Sequence, residues 1–165
     1  YWNCINYREG NMDKKQFLDF CKREFESHGF VRQKKAFYRL GNNLLCEVDL
    51  QASIYGKAYY VNFCFFLDNF ENVKVFPTYY ESDIDGRIRV MTKKSRTLQG
   101  ELYMTSLIEY EDYNEEDLKP YFDKDFEERI LPPLQYGRSY ILENLNKKYF
   151  LTLHPEEVLR KLQQF

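Results

Sequence analysis

Alternation of apolar and polar positions is strongest over residues 44–68, where it predicts two long strands joined by a short turn containing Gly56. Alternate residues of a strand face opposite sides of a sheet. One face of this hairpin is apolar throughout. Its residues are Leu44, Cys46, Val48, Leu50 and Ala52, followed by Tyr59, Val61, Phe63, Phe65 and Leu67. We therefore predict that this face packs on the core.

The opposite face gathers polar side chains. Glu47, Asp49, Gln51 and Ser53 project from one strand, Tyr60 and Asn62 project from its neighbour, and Arg87 and Arg89 join them if their strand pairs alongside. Acids, amides and arginines placed together can bind a polar ligand or the side chains of a partner. The alternative is a solvated sheet face with cross-strand ion pairs. Glu47 and Asp49 could form an acid/base pair, but nothing in the sequence raises the pKa of either.

Helical spacing of phenylalanines predicts an amphipathic helix over residues 13–28. Asp13 is the expected N-cap and Gly29 the expected end of the helix. His28 lies where a cation complements the helix C-terminus. Residues 30–40 are predicted as one strand, which turns at residues 41–43 into the central hairpin.

Less regular patterning follows the hairpin. Residues 69–86 are predicted as a long connection with one short strand near residues 73–76. Residues 87–92 and 101–110 alternate again, which gives four or five mostly antiparallel strands.

The C-terminal third is predicted to be helical. Pro120 is placed in the first turn of a helix that Pro132 and Pro133 end, a second helix runs through Gly137, and Pro155 opens a third. The fold class predicted is α+β: a mostly antiparallel sheet of four or five strands, packed by an N-terminal helix and C-terminal helices.

The length of 165 residues corresponds to one domain. Met12 is the first methionine, and a convincing helix begins immediately after it. We therefore expect residues 1–11 to be an extra segment outside the natural domain, and residues 12–165 to form the single α+β domain.

Charge is nearly balanced, at −2 overall, which argues against nucleic-acid binding by the whole domain. A basic segment, residues 87–96, contains five Lys or Arg and no acid, and an acidic segment, residues 109–128, contains ten acids and two lysines. Such an acidic segment is typical of a solvated surface, or it contacts a basic partner.

The four cysteines and two histidines lack the spacing of a zinc site, so no metal is predicted. Cys46 and Cys64 should face opposite sides of the sheet, which excludes a disulfide between them. No apolar run of 18 residues and no signal-peptide pattern occurs, so we expect a cytoplasmic protein with reduced thiols and no membrane contact.

The order of helix, Gly29-Phe30, hairpin and later motifs resembles a bacterial family known as domain of unknown function 4304. The motifs that carry the resemblance are Phe17 and Phe25 with Gly29-Phe30, then Leu50-Gln51-x-Ser53, Tyr60-Val61-Asn62 and Gly86-Arg87-x-Arg89. The resemblance covers most of residues 12–145. It implies a fold and a bacterial origin, and it transfers no catalytic residue.

No nucleotide-binding loop, nucleophile motif or cofactor motif is present in the sequence, so no cofactor is predicted and an enzyme is the less favoured interpretation. We predict a small soluble protein-interaction module, of which toxin-immunity proteins are one type. The alternative is a small polar-ligand-binding protein or an enzyme that uses the polar sheet face. The expected partner is another protein, nucleic acid is disfavoured, and the oligomeric state is open.

Overall fold

Five antiparallel strands form the central sheet, in the order β1-β2-β3-β4-β5. The structure is a computed structural model that describes residues 11–68, 76–147 and 155–164. The strands are β1 (Val31–Gln33), β2 (Ala36–Leu40), β3 (Leu45–Ala52), β4 (Tyr59–Phe66) and β5 (Ile84–Arg87). The helices are α1 (Lys14–Ser27), α2 (Glu115–Asp125), α3 (Leu131–Tyr136), α4 (Arg138–Asn144) and α5 (Pro155–Gln163). The predicted α+β class is confirmed.

The face of the sheet predicted to be apolar carries the main core, and we call it the first face. Val48 of β3 and Val61 and Phe63 of β4 are completely buried in it. Helix α1 covers this face with its phenylalanine stripe, and Phe25 lies edge-on to Phe37 of β2 with ring centroids 5.2 Å apart. Burial of a phenylalanine contributes about 1.5–3 kcal/mol, so these contacts fix α1 on the sheet.

Helix α1 begins and ends where the sequence predicts. Asp13 forms a capping box with Gln16, and Gly29 adopts φ +81° after the last turn. His28 is the C-cap of α1, at the predicted position, and burial lowers the pKa of its imidazole below the usual 6.5, which disfavours the cationic form there. His28 is therefore mainly neutral at pH 7.

Residues 30–40 form two strands and not the single strand predicted. Lys34 adopts φ +57° and lies between β1 and β2, whose register pairs Gln33 with Ala36. A two-residue turn with positive φ matches the twist of the strands that it joins. The next turn, before β3, is confirmed: Asn43 also has φ +57°, and β2 pairs antiparallel with β3.

The strands after residue 76 differ from their predicted positions. Gly86 lies within β5, which pairs with β4, and not in a connection. The predicted strand over residues 87–92 is interrupted after Arg87, and β6 (Val90–Met91) pairs instead with β7 (Met104–Thr105) in a separate two-stranded sheet. The short strand predicted near residues 73–76 lies outside the described residues except for Phe76, which is not in a strand.

Helix α2 begins earlier than predicted. Asn114 caps it through a capping box with Asp117, so Pro120 lies in the helix interior and not in its first turn. Pro132 and Pro133, which were predicted to end this helix, do not end the helical region. A π-helical turn, Phe126–Ile130, leads into α3, which contains Pro132 and Pro133.

A glycine separates α3 from α4, where the sequence predicted one continuous helix. Gly137 adopts φ +76° and ends α3, a conformation that a side chain would strain. Pro132 has no N–H for the carbonyl of Glu128, and the hydroxyl of Tyr140 on α4 donates to that carbonyl at 3.4 Å. The helix opened by Pro155 is confirmed as α5.

Residues 1–11, predicted to lie outside the domain, are described only at Asn11. Met12 is 4% exposed, and its N–H donates to the carbonyl of Tyr113 at 2.9 Å. The described part of the chain therefore joins the core from Met12 onward.

Candidate functional site

The polar face of the hairpin, which we call the second face, is partly covered. Near the start of β3 it carries a small buried cluster of Ala36, Tyr38, Leu45, Cys64 and Phe66, against which Phe76 and Tyr79 pack. The prediction that Cys46 points to the main core and Cys64 to the opposite face is confirmed. Toward the end of β3 the second face opens, because Gln51 is exposed.

Antiparallel register arranges the side chains of the second face in two rows across the sheet. From β2 to β5, the first row is Tyr38, Glu47, Cys64 and Asp85, and the second row is Ala36, Asp49, Asn62 and Arg87. Residues directly opposite each other in a sheet have Cβ atoms about 4.5–5.5 Å apart. The strands thus bring polar groups that are distant in sequence into contact.

A groove of 1130 Å³ lies on this face. It is lined by the β1–β2 turn, by β2 to β4 and by residues 76 and 78–80; the lining residues are Gln33, Lys34, Lys35, Ala36, Tyr38, Glu47, Asp49, Leu50, Gln51, Asn62, Phe76, Thr78, Tyr79 and Tyr80. Four predicted site residues, Glu47, Asp49, Gln51 and Asn62, are among them. The groove is large enough for a drug-sized ligand or a short peptide segment.

Glu47 is the buried carboxyl of the groove, with 3% of its surface exposed. The thiol of Cys64 donates a weak hydrogen bond to it, with Sγ 3.8 Å from Oε2. No Lys or Arg among the described residues forms an ion pair with it. Burial, and secondly the charge of Asp49, raise the pKa of Glu47 to about 7.

Asp49 lies in a hydrogen-bonded network centred on Asn62. The amide Nδ2 of Asn62 donates to Oδ1 of Asp49 at 2.9 Å and to Oε1 of Gln51 at 3.1 Å, and its Oδ1 accepts from Nε of Arg87 at 2.9 Å. Burial raises the pKa of Asp49, although the Asn62 bond and the charge of Arg87 act in the opposite direction. The network therefore fixes the second row but leaves Glu47 outside it.

Arg87 ends the second row at the edge of the sheet. Its guanidinium carbon lies 4.1 Å from the centre of the Tyr60 ring, a cation–π contact. Its Nη2 also donates to Oε1 of Gln51 at 3.4 Å. Gln51, Asn62 and Arg87 come from three of the motifs that carry the family resemblance, and the structure joins them in one network.

Two further predicted site residues, Ser53 and Arg89, also lie outside this network. Ser53 accepts a hydrogen bond from the N–H of Tyr55 at 3.1 Å and lines a separate pocket of 290 Å³ at the hairpin end. Arg89 is exposed after β5 ends, and its N–H donates to Asp125 of α2 at 2.9 Å. Because the strand is interrupted after Arg87, the side chain two residues further does not extend the pairing of β5 with β4.

The aromatic side of the groove was not among the predicted site residues. Tyr38 donates to the carbonyl of Pro77 at 2.9 Å, and Tyr79 donates to Oδ2 of Asp85 at 2.5 Å. These bonds hold residues 77–79 on the sheet. Tyr38 could have been found from a two-residue turn at Asn42-Asn43, because counting outward from that turn pairs Tyr38 with Glu47; nothing local marks Tyr79.

The basic and acidic segments noted in the sequence contact each other. Lys93 pairs with Asp117 at 2.9 Å, and Lys94 pairs with Asp112 at 2.7 Å. Charges that appear as separate runs in the sequence are thus partly neutralised within the fold. The polar groove is the stronger candidate site.

In the described part of the chain, no helix is both long enough and apolar enough to span a membrane. No curated protein and no solved structure matches the chain significantly. Residues 22–136 match the family described as Domain of unknown function (DUF4304). This match covers more than half of the chain and includes β1 to β5, the second-face network and α2, so the chain belongs to the DUF4304 family.

Proposed function

We propose that the chain is a protein-interaction module whose groove receives a basic side chain of a partner protein. The observation that carries this proposal is the position of Glu47, a carboxyl 3% exposed in the groove and without an ion pair among the described residues. Ionising a buried carboxyl without a nearby cation is unfavourable. Glu47 therefore keeps its proton up to a pH of about 7, and a ligand cation would stabilise the ionised form.

Asp49 is a second carboxyl that favours a cationic ligand in the groove. It lies two residues after Glu47 on the same face of β3 and also lines the groove. Two unit charges 4 Å apart interact by roughly 4 kcal/mol at an effective dielectric constant of 20. An ammonium or guanidinium group near both carboxyls would gain attraction from each.

The aromatic lining suits the rest of a basic side chain. Tyr38, Phe76, Tyr79 and Tyr80 line the groove, and the Lys and Arg stems are apolar and pack on such rings. A cation over an aromatic face adds about 0.5–2 kcal/mol. The volume of 1130 Å³ leaves room for residues that flank the basic side chain, which favours a protein segment as the ligand.

A small amine is the second candidate ligand, because the same two carboxyls would bind it. In that case the pKa of Glu47, about 7, also suits a general acid or base at neutral pH. The two ligand classes differ in size, so the experiment below separates them.

The test measures binding of capped pentapeptides whose central residue is Lys, Arg, norleucine or Gln, with butylammonium as the small-amine probe. We expect the Lys or Arg peptides to bind and the norleucine and Gln peptides not to bind. A charge-assisted hydrogen bond contributes about 1.5–3 kcal/mol, so Glu47→Gln should weaken binding by about tenfold or more. Glu116→Gln removes the same charge from an exposed position on α2 and should leave the affinity unchanged.

Four results decide between the interpretations. Equal binding of the norleucine and Lys peptides, absence of binding by any basic peptide, or Glu47→Gln with unchanged affinity would overturn the proposed role of the groove. If butylammonium binds as tightly as the best peptide, the ligand of the groove is a small amine and not a protein segment.

A toxin-immunity role is the finer form of this proposal, in which the bound partner is a toxin. The neighbouring genes test it. A toxin gene immediately upstream supports the role, and a consistently metabolic set of neighbours argues against it.

A further inference from the structure

A second group of polar side chains lies between α1 and α2, away from the groove. Glu24 and His28 are four residues apart at the end of α1, so they lie on the same face of the helix. Asp123 of α2 lies opposite them. One ligand atom from each of the three residues lies within 4.8 Å of the others.

We propose that Glu24, His28 and Asp123 form a binding site for a divalent transition-metal ion such as Zn²⁺. Carboxylate oxygen and imidazole nitrogen are both ligands of this ion. Three protein ligands leave at least one coordination position for water, which is the arrangement of an open site.

The state of His28 supports metal binding independently of the acids. Its ring stacks on Phe126 with centroids 4.2 Å apart and an interplanar angle of 17°, which fixes the plane of the imidazole. Neither ring nitrogen forms a hydrogen bond with any other described residue. The imidazole therefore has no side-chain or backbone partner among the described residues to give up before it binds a metal ion.

Lys119 shows that a cation is stabilised at this position. Its Nζ lies 3.3 Å from Oε1 of Glu24 and 3.1 Å from Oδ1 of Asp123, between the two carboxylates. Glu24 is 8% exposed, whereas the Lys119 side chain is 55% exposed and can turn into solvent. Ion pairs of exposed lysines contribute at most about 1 kcal/mol, so a metal ion that binds all three ligands can displace the ammonium.

The sequence predicts no metal, because its cysteines and histidines lack the spacing of a zinc site. Two of the three ligands are carboxylates on helices that are far apart in the sequence, as the separation of 95 residues between Lys119 and Glu24 also shows. Only the packing of α2 on α1 reveals the group.

Titration of the untagged full chain with Zn²⁺ and Co²⁺ tests the site. We expect one bound ion per chain, with Co²⁺ absorption in the visible and no thiolate charge-transfer band in the near ultraviolet. His28→Phe preserves a ring over Phe126 and removes the ligand. Loss of an outer-shell partner typically costs 10–100-fold in affinity, so loss of a direct ligand should weaken binding by about a hundredfold or more.

Lys119→Met tests whether the ammonium of Lys119 competes with the metal ion. It removes the competing ammonium and keeps the apolar stem, so it should bind Zn²⁺ more tightly than the original chain. Glu116→Gln, on the same helix, should not change the affinity. Absence of stoichiometric binding in both the original chain and Lys119→Met would overturn the site, as would binding that His28→Phe does not weaken. Unchanged affinity in Lys119→Met would overturn the competition between metal and ammonium.

Discussion

Asn62 donates a hydrogen bond to Asp49 across the β3–β4 pair, with Nδ2 2.9 Å from Oδ1. Asn62 is 3% exposed, so this bond is shielded from water. The same amide also contacts Gln51 and Arg87. Asn62 is thus the residue through which strands β3, β4 and β5 share one polar network on the second face.

Removal of this amide should destabilise the domain. In Asn62→Ala, Asp49 and Arg87 lose a partner in a half-buried environment, and an unsatisfied buried polar group costs about 1–3 kcal/mol. We expect the free energy of unfolding in urea to fall by roughly 2–3 kcal/mol. Gln51→Ala truncates an exposed member of the same network and should cost less than about 1 kcal/mol. Equal losses in the two variants would contradict the central position of Asn62.

Glu47 should make stability depend on pH. Its pKa is about 7 in the folded protein against 4.5 as the ordinary value, so between these two pH values the folded state holds a proton that the unfolded state has released. The free energy of unfolding must therefore fall as pH rises from about 4.5 to about 7. Each unit of pKa difference corresponds to about 1.4 kcal/mol when water does not screen the group. Because Glu47 lines an open groove, we expect its contribution to the free energy of unfolding to be smaller, at about 2 kcal/mol.

The difference between the original chain and Glu47→Gln isolates this contribution, because the other titrating groups largely cancel. We expect Glu47→Gln to be more stable than the original chain at pH 8, and this advantage to decline as pH falls toward 4.5. Urea unfolding at several pH values measures the difference. A difference that does not change with pH would show that Glu47 is ionised in the folded state.

Gly86 is a position where β5 has no room for a side chain. A Cβ at this residue would lie 2.4 Å from Cζ of Phe63 and 2.7 Å from Nη2 of Arg129. Overpacking of this kind costs typically 1–3 kcal/mol, so Gly86→Ala should lower the free energy of unfolding by about that amount. Gly56→Ala is the matched control, because no atom lies within 4 Å of a Cβ there. A neutral Gly86→Ala would show that β5 can move away from Phe63.

The central hairpin and its two faces could be predicted because a strand has a period of two residues. The alternation over residues 44–68 assigned Val48 and Phe63 to the core and Glu47 and Asn62 to the other face, as observed. Helix α1 was predictable for a similar reason, since its cap and its apolar spacing are local. Both predictions depend only on residues close together in the sequence.

The burial of Glu47 could not be predicted in this way. Which residues cover a sheet face depends on contacts between distant segments, here Phe76 and Tyr79 against Tyr38 and Cys64. Arg89 was misplaced because its assignment assumed an uninterrupted strand after Arg87. The start of α2 was predicted too late because Pro120 was assigned to the first turn. The capping box of Asn114 and Asp117 marks the actual start and can be recognised in the sequence.

Tyr79 holds one side of the groove to the sheet, and its loss should affect both stability and binding. Its hydroxyl donates to Oδ2 of Asp85 at 2.5 Å, and Tyr79→Phe removes this bond to a carboxylate while keeping the ring. Because hydrogen bonds to charged groups contribute about 1.5–3 kcal/mol, we expect the free energy of unfolding to fall by about 1–2 kcal/mol and the affinity for Lys peptides to weaken. Tyr80→Phe removes the neighbouring hydroxyl from a ring that is 97% exposed and should leave stability unchanged. Since residue 79 contacts the sheet and residue 80 faces solvent, equal effects of the two substitutions on urea unfolding would contradict the assigned anchor.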